Sequence, residues 1–309
     1  MKEIKIFSPA TVANVSCGFD VLGFCLDTVG DVMTIRKTAS KGIIITKIEG
    51  AELSFEAENN VAGVAAKAIL DAANHPFGVE IEIYKNIKPG SGVGSSSASA
   101  SGTVWAINEL LGRPFNKQEL TAFAMKGEAL ASGAEHADNV APGIFGGFTL
   151  VKSLNPLKVI QLPTPSEMWT TIIHPQIEVK TSEARAILPK EVSLKKAIKQ
   201  WANVGSFISG LYDEDYELIA DSLEDSIVEP HRSKLIPHFD AVKKAMLESG
   251  ALGAGISGSG PSIFSLSQGE ETAMKVAESI NDVYSKTGIE FDVYVSKINT
   301  NGVKILNLK

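Results

Sequence analysis

Gly90 to Gly102 reads Gly-Ser-Gly-Val-Gly-Ser-Ser-Ser-Ala-Ser-Ala-Ser-Gly, with three glycines in its first five residues. Just before it, Val79-Glu80-Ile81-Glu82-Ile83-Tyr84 alternates apolar with acidic residues, the period of a half-buried strand. Just after it, Ala98 to Leu111 reads as a helix, stopped by Gly112 in a left-handed position with Pro114 two residues on. Strand, glycine loop and helix N-terminus in this order can hold phosphate. Glycines let the backbone come close, successive N–H groups point into the concavity, and the positive helix end favours an anion. A flexible Gly/Ser linker would not be clamped between a strand and a helix with a proper stop.

Neither familiar nucleotide loop fits. The Walker-A pattern closes on Gly-Lys-Ser/Thr, a tripeptide that does not occur in the chain. The dinucleotide fingerprint needs G-x-G-x-x-G; here the spacing is G-x-G-x-G, and Glu109, about twenty positions on, falls inside the helix.

The composition narrows the partners. A length of 309 residues suits one large or two modest domains, and the net charge of −7 opposes electrostatic binding of nucleic acid. An acidic chain that binds a nucleotide does so with backbone amides and a cation, which suggests Mg²⁺. Only Cys17 and Cys25 occur, too few for a metal site by themselves. The charged, alternating start Lys2 to Phe7 reads as a strand and not a signal peptide, and no apolar run approaches the roughly 20 residues of a membrane span. The expectation is a protein of the reducing cytosol, with no nucleic acid and no membrane as partner.

The elements that must position the loop follow from the pattern. Lys2 to Phe7 is a first strand ending at Ser8-Pro9, followed by a polar loop through Asn14 and Asp20 and by apolar Val21 to Leu26. Val32 to Arg36 and Ile43 to Ile48 continue as strands of a meander. Asn59-Asn60 precedes Val61, Val64, Ala65, Ala68, Ile69 and Ala72, an amphipathic helix with Asn as N-cap. A helix from Asn116 carries Leu120, Phe123, Ala124 and Ala131 on its apolar side and Glu128 in its penultimate turn. Gly133 stops it, and the polar run Ala134 to Asn139 follows. Ile144 to Val151, with Gly146-Gly147, reads as a strand with a bulge or a close backbone approach.

Three prolines between Leu154 and Met168 precede a fresh strand at Trp169 to Ile173, which places a domain boundary near Ser166, dividing 1–166 from 167–309. The second part holds a helix start at Thr181 or Ser182, helices over Leu194 to Leu211, Tyr216 to Ser226 and Leu235 to Glu248, and a second glycine-rich run, Gly250 to Phe264. That run leads into a strand, so it reads as a tight hairpin whose glycines permit close packing. A helix from Glu270 to Tyr284 and a strand from Phe291 to Val295 close the chain. The expected class is α+β, with helices over one face of an antiparallel sheet.

Three separated motifs, Gly90 to Ala98, Pro9-Ala10-Thr11 through Gly18-Phe19-Asp20, and Gly255 to Phe264, together resemble the GHMP kinases. The superfamily is named for galactokinase, homoserine kinase, mevalonate kinase and phosphomevalonate kinase. Within it the chain looks most like the branch that phosphorylates L-homoserine, through Ala13-Asn14, His136 to Pro142, Thr181 to Pro189 and Ile227 to Arg232. The resemblance spans nearly the whole chain. It implies a ribosomal S5-like N-terminal domain, a ferredoxin-like C-terminal domain, ATP with Mg²⁺ as cofactors, and a homodimer.

Carried over by position, the resemblance implies that Gly90, Ser91, Gly92, Val93, Gly94, Ser95, Ser96 and Ser97 wrap the triphosphate. Ser96 and Glu128 would hold Mg²⁺, and Asn60 would contact the adenine. Asp20 would pair with the substrate ammonium, Arg185 and Arg232 with its carboxylate, while Asn14, His136 and Asn139 surround the attacking hydroxyl. Asn139 stands where many relatives carry an Asp base, so the expected mechanism rests on positioning and charge stabilisation, with Asp138 next door as the alternative base. The competing readings are a mevalonate or sugar kinase, and an RNA-binding or inactive protein on the same fold.

Overall fold

The computed structural model describes residues 2–133 and 135–309; Met1, and Ala134 of the polar run, lie outside the described residues. In chain order the elements begin β1 (Glu3–Ala13), β2 (Leu22–Thr38), β3 (Ile43–Glu49), α1 (Val61–Ala72), β4 (Gly78–Tyr84), α2 (Ser95–Leu111), α3 (Lys117–Ser132), α4 (Val140–Phe145), β5 (Phe148–Leu154) and β6 (Leu157–Leu162). They continue with β7 (Met168–Pro175), α5 (Thr181–Ala186), α6 (Leu194–Asp213), α7 (Tyr216–Ser222), α8 (Glu229–Arg232), α9 (Phe239–Glu248), β8 (Gly253–Ile256), β9 (Ile263–Gln268), α10 (Glu270–Tyr284), β10 (Phe291–Lys297) and β11 (Lys304–Leu308).

The first sheet has the order β11-β1-β2-β4-β3, with β5 on β2 and β6 on β5. Its apolar face, including Ile4, Ile6, Ile35 and Ile81, packs against Ile69 of α1 and Val104 and Ile107 of α2. The expected meander is not formed. β3 lies parallel to β4 at the sheet edge, and α1 between them provides the crossover a parallel pair requires. β1 also runs past Ser8-Pro9, where it was expected to end. Pro9 lies opposite Gly30, the register shifts before Thr11, and the Thr11 N–H turns instead to the Val93 carbonyl at 3.1 Å. Proline supplies no N–H, so the ladder breaks there and the strand leans toward the glycine loop.

The second sheet is antiparallel, in the order β10-β7-β9-β8. Its strands alternate between two packed faces. Ile173 and Ile263 meet α9 and α10, whereas Ile172, Phe264 and Leu266 join Phe207 of α6 and Phe24 and Phe148 of the first sheet. Helices of this half therefore lie on both faces, not one. A division near Ser166 separates the two sheets for every strand except β11, which returns to pair with β1.

Several boundaries differ from the sequence reading. α2 starts at Ser95, not Ala98, because Gly94 turns left-handed as its N-cap (φ 69°). The strand expected from Ile144 to Val151 begins only at Phe148, because Ile144 and Phe145 end α4, and Gly146 lies where a Cβ would come within 2.2 Å of the Thr300 carbonyl oxygen, the close approach its glycine allows. Lys180, not Thr181 or Ser182, is the N-cap of α5. The helix from Tyr216 ends at Ser222, and the one before the second hairpin begins at Phe239. On α3, Ala131 is exposed although it was expected on the apolar side, while Glu128 is buried with Leu120 and Ala124.

Candidate active site

The glycine loop is shaped by backbone that only glycine adopts readily. Gly90, Gly92 and Gly94 have φ of 76°, 80° and 69°. A Cβ on Gly92 would sit 2.6 Å from the Gly260 carbonyl oxygen, and one on Gly94 would sit 2.0 Å from Thr11 Oγ1. The loop therefore lies pressed between the end of β1 and the β8–β9 hairpin. Two hairpin hydroxyls fasten it: Ser257 donates to the Gly92 carbonyl at 2.7 Å and Ser262 to the Ser91 carbonyl at 2.6 Å. From its residues alone the hairpin was expected only to pack closely; here it also fixes the loop. The N-cap of α2 is Gly94, which has no side chain to occupy the helix end, and Gly94, Ser95 and Ser96 face a cleft of about 820 Å³.

Under the same helix end lies a buried ion pair that the sequence reading did not include. Lys85, directly after β4, contacts the Asp31 carboxylate and donates to the Ser95 carbonyl at 2.8 Å and to Ser99 Oγ at 3.2 Å. Asp31 accepts further bonds from the backbone N–H of Asn86 and Ile87, at 2.9 and 3.1 Å. Burial pushes the Asp31 carboxyl up and the Lys85 ammonium down, and their contact opposes both shifts. The only sequence signal was Lys85 directly after an alternating strand, which by itself points to nothing.

Glu128 reaches across from α3. It accepts from the Ser96 and Ser97 hydroxyls, each at 3.0 Å. Burial raises its carboxyl above the usual range, while those hydroxyls and Lys85 pull the other way. Asn60 caps α1 by accepting from the Ala62 N–H at 2.9 Å and donates to the Ser54 carbonyl at 2.7 Å. Both ends of its amide are thus engaged, and Leu53, Asn59, Val61 and Leu130 line the cleft with it.

The other end of the cleft collects charge from distant parts of the chain. After β1 the backbone turns left-handed at Asn14, Val15 and Ser16, and again at Asp20. Asn14 holds this loop: it donates to the Gly258 carbonyl at 2.7 Å and accepts from the Asp20 N–H at 3.0 Å. Arg185 forks onto the Asp20 carboxylate, with NH1–Oδ2 at 3.1 Å and NH2–Oδ1 at 2.9 Å. His136 Nε2 lies 3.4 Å from the same guanidinium. Burial, reinforced by Arg185 and Arg232 against the pull of Asp20, lowers the imidazole pKa, so His136 faces the cleft neutral at neutral pH.

Arg232 is only 2 % exposed. It donates to the Ala184 carbonyl at 3.0 Å and the Gly258 carbonyl at 2.9 Å. Its guanidinium and that of Arg185 approach the Phe19 ring, at 5.0 and 5.5 Å from the centroid. Phe19 had no assigned role in the sequence reading; it gives the two cations an apolar and weakly attractive surface.

Asn139 joins the two ends. Its Oδ1 accepts from Thr11 Oγ1 at 2.9 Å, close to where a Gly94 Cβ would fall. Next to it Asp138 is buried in the cleft wall, and burial first, then the charges of Asp20 and Glu128, raise its carboxyl to about 7.

A chain with this cleft has recognisable relatives. Residues 59–147 match the GHMP kinases N terminal domain and residues 207–286 the GHMP kinases C terminal domain. Homoserine kinase of Chlorobium phaeobacteroides (strain BS1) is 44% identical over 99% of this chain and 100% of its own. The crystal structure of homoserine kinase from Cytophaga hutchinsonii superposes with a TM-score of 0.95 at 50% identity, covering 99% of this chain and 98% of that one. The chain belongs to the homoserine kinases of the GHMP kinase family. The crystal structure of L. major mevalonate kinase superposes with a TM-score of 0.70 at 13% identity, over 95% of this chain and 96% of its own, a likeness of fold alone. The two-domain α+β architecture of this kinase is the family's, and ATP is the family's phosphate donor. Among the described residues no helix is long and apolar enough to cross a membrane.

Proposed function

We propose that this kinase transfers the γ-phosphoryl group of ATP to the side-chain hydroxyl of L-homoserine, giving O-phospho-L-homoserine on the route to threonine. One observation carries the reading: a single cleft has an amide-rich end at Ser96 and Glu128 and a charged end where Asp20, Arg185 and Arg232 meet. An amino acid presents an ammonium and a carboxylate. Asp20 complements the first, and the planar forks of Arg185 and Arg232 complement the second. Mevalonate has no ammonium for Asp20, and a neutral sugar has neither group.

In this reading the Gly90 to Ser97 amides bind the triphosphate, and Asn60 with its apolar neighbours borders the base. The Ser96 hydroxyl and the Glu128 carboxylate are hard oxygen donors 3.0 Å apart. That set suits Mg²⁺, which takes one or two carboxylates and completes its shell with phosphate and water. When bound, Mg²⁺ offsets negative charge on the phosphates. Asn14 keeps Asp20 in place, His136 borders the acceptor, and Asn139, held by Thr11, orients the hydroxyl. We take 1–166 as the ATP-binding part, with β11 added to it, and 167–297 as the second part. The homodimer and the cytoplasmic setting implied by the resemblance complete the reading.

Asn139 cannot take a proton at neutral pH, so this reading relies on positioning and charge stabilisation without a side-chain base. A second reading is favoured by Asp138, a buried carboxyl in the cleft wall with a pKa of about 7, the range in which a general base works. Asp138→Asn separates the two. A loss of about 10²-fold or more in kcat, together with loss of the acid limb of the pH–rate profile, supports the base; a near-normal kcat sinks it. The same shift sets a stability trend. An unfolded Asp138 releases its proton near 3.8 and the folded one at about 7, so folding favours the protonated form. Stability should fall as pH rises through that window and then level off, and the Asn variant should lack this fall in melting temperature.

A coupled ADP-release assay with L-homoserine, mevalonate and galactose tests the main reading. Turnover with homoserine is expected; turnover with either alternative while homoserine is inert overturns it.

A further inference from the structure

One polar side chain interrupts the core-facing stripe of α6. Gln200, Val204, Phe207 and Leu211 recur at the spacing of one helix face, and the last three pack into the core between the two sheets. An amide on such a stripe costs stability unless its polar atoms find partners. Gln200 finds them in two places. Its Nε2 donates to the Cys17 carbonyl at 2.9 Å and to the Asp225 carboxylate at 3.2 Å, and its Oε1 accepts from the Ser226 N–H at 3.1 Å.

These two places lead to the charged groups of the cleft. Cys17 precedes Asp20 in a loop whose backbone is left-handed at Val15 and Ser16, with φ of 45° and 54°. Residues other than glycine hold such backbone only where surrounding contacts over-determine it. Asp225 leads into α8: its carboxylate accepts from the N–H groups of Ile227, Val228 and Glu229, each at 2.9 Å. One turn on, the Arg232 N–H donates to the Val228 carbonyl at 3.1 Å. The turn that Asp225 closes therefore sets where the Arg232 side chain begins. α6 fastens the same turn at Glu224, through an exposed ion pair with Lys199 and a bond from Asn203 to its carbonyl at 3.0 Å. Those two contacts stay with the turn. Gln200 spans the turn and the loop.

We propose that Gln200 is a positioning residue for the acceptor: together with Asp225 it fixes the separation between Asp20 and Arg232. It acts through the loop and α8, not by touching substrate. A ligand held at both charged ends gains affinity only when the two grips stand at its own spacing. The inference rests on the homoserine reading, since it takes Asp20 as the partner of the ammonium and Arg232 as a partner of the carboxylate.

Steady-state kinetics of the full chain with L-homoserine and ATP, beside melting temperatures, tests it. Gln200→Met keeps side-chain length and helix propensity but loses the amide. The KM for homoserine should rise about tenfold, with kcat and the KM for ATP within about twofold of wild type. Gln200→Lys again supplies donors to both Cys17 and Asp225, and should bring the homoserine KM back to within about threefold of wild type. Lys199→Ala removes the exposed pair on the same turn and should leave both KM values unchanged. Asp225→Asn loses one acceptor for the turn and should also raise the KM for homoserine alone, so the test stands if Gln200→Met does not fold. A homoserine KM untouched by both Gln200→Met and Asp225→Asn overturns the proposal. Equal rises in both KM values, or a Lys variant no better than Met, also overturn it, because they mark general packing. A wild type inert toward homoserine overturns the homoserine reading and this inference with it, whereas failure confined to the variants leaves that reading standing.

Discussion

At the end of the cleft that we propose for phosphate, charge is settled within the protein and the loop is fastened to its neighbours. Lys85 and Asp31 pair beneath α2, the Ser96 and Ser97 hydroxyls meet Glu128, and two hairpin serines fasten the loop from below. At the end that we propose for the acceptor, the ion pair of Asp20 with Arg185 is half-exposed and built from side chains, and of the two arginines it is Arg232 that is tied into the backbone. The difference matches the chemistry that the proposed function asks of each end. Phosphate is met by oriented N–H groups that need no rearrangement when charge shifts. In the proposed reading an amino acid displaces Asp20 and Arg185 from one another, exchanging one ion pair for two, at small cost because the original pair is solvated.

Breaking the phosphate end should therefore damage the fold, and breaking the acceptor end should damage recognition. The largest effect is expected for Lys85→Met, which leaves Asp31 buried without its cation and should cost about 3–5 kcal/mol of stability, read by urea denaturation. Adding Asp31→Leu should recover much of that loss. Recovery of stability without activity would show that the pair also serves the phosphate site.

Arg232→Ala comes next. A loss of about 2–5 kcal/mol in kcat/KM for homoserine is expected, with the KM for ATP little altered. Collapse of ATP affinity instead would erase the distinction between the two ends. Gly92→Ala combines a left-handed backbone with a clash against the Gly260 and Ser257 carbonyls, and should cost about 1–3 kcal/mol while raising the KM for ATP more than that for homoserine. The smallest change in stability belongs to Asp20→Asn, about 0–1 kcal/mol because the pair is exposed. Its KM for homoserine should nevertheless rise, since a neutral amide offers the ammonium no counter-charge. A large loss of stability there would mean that the acceptor end is as rigid as the phosphate end.

The sequence alone determined the glycine loop between strand and helix, because the local pattern carries that information. Positive-φ glycines, an alternating strand and a helix stop lie within a few dozen consecutive residues. It also determined that an asparagine caps the helix at Val61 and that a helix starts at Asn116, since such signals act only two or three residues away. The separated motifs named the family. The parallel placement of β3, the return of β11 to the first sheet and the extension of β1 through Pro9 depend on partners far along the chain, which periodicity cannot reveal. The same limit hid Lys85, whose meaning comes from Asp31, fifty-four positions away in the chain. The second glycine run was legible as a hairpin, but its role as the floor of the loop exists only once Ser257 and Ser262 lie beneath Gly92 and Ser91. Tertiary structure decided these because burial, and the pairing that burial demands, join residues that the chain itself keeps apart.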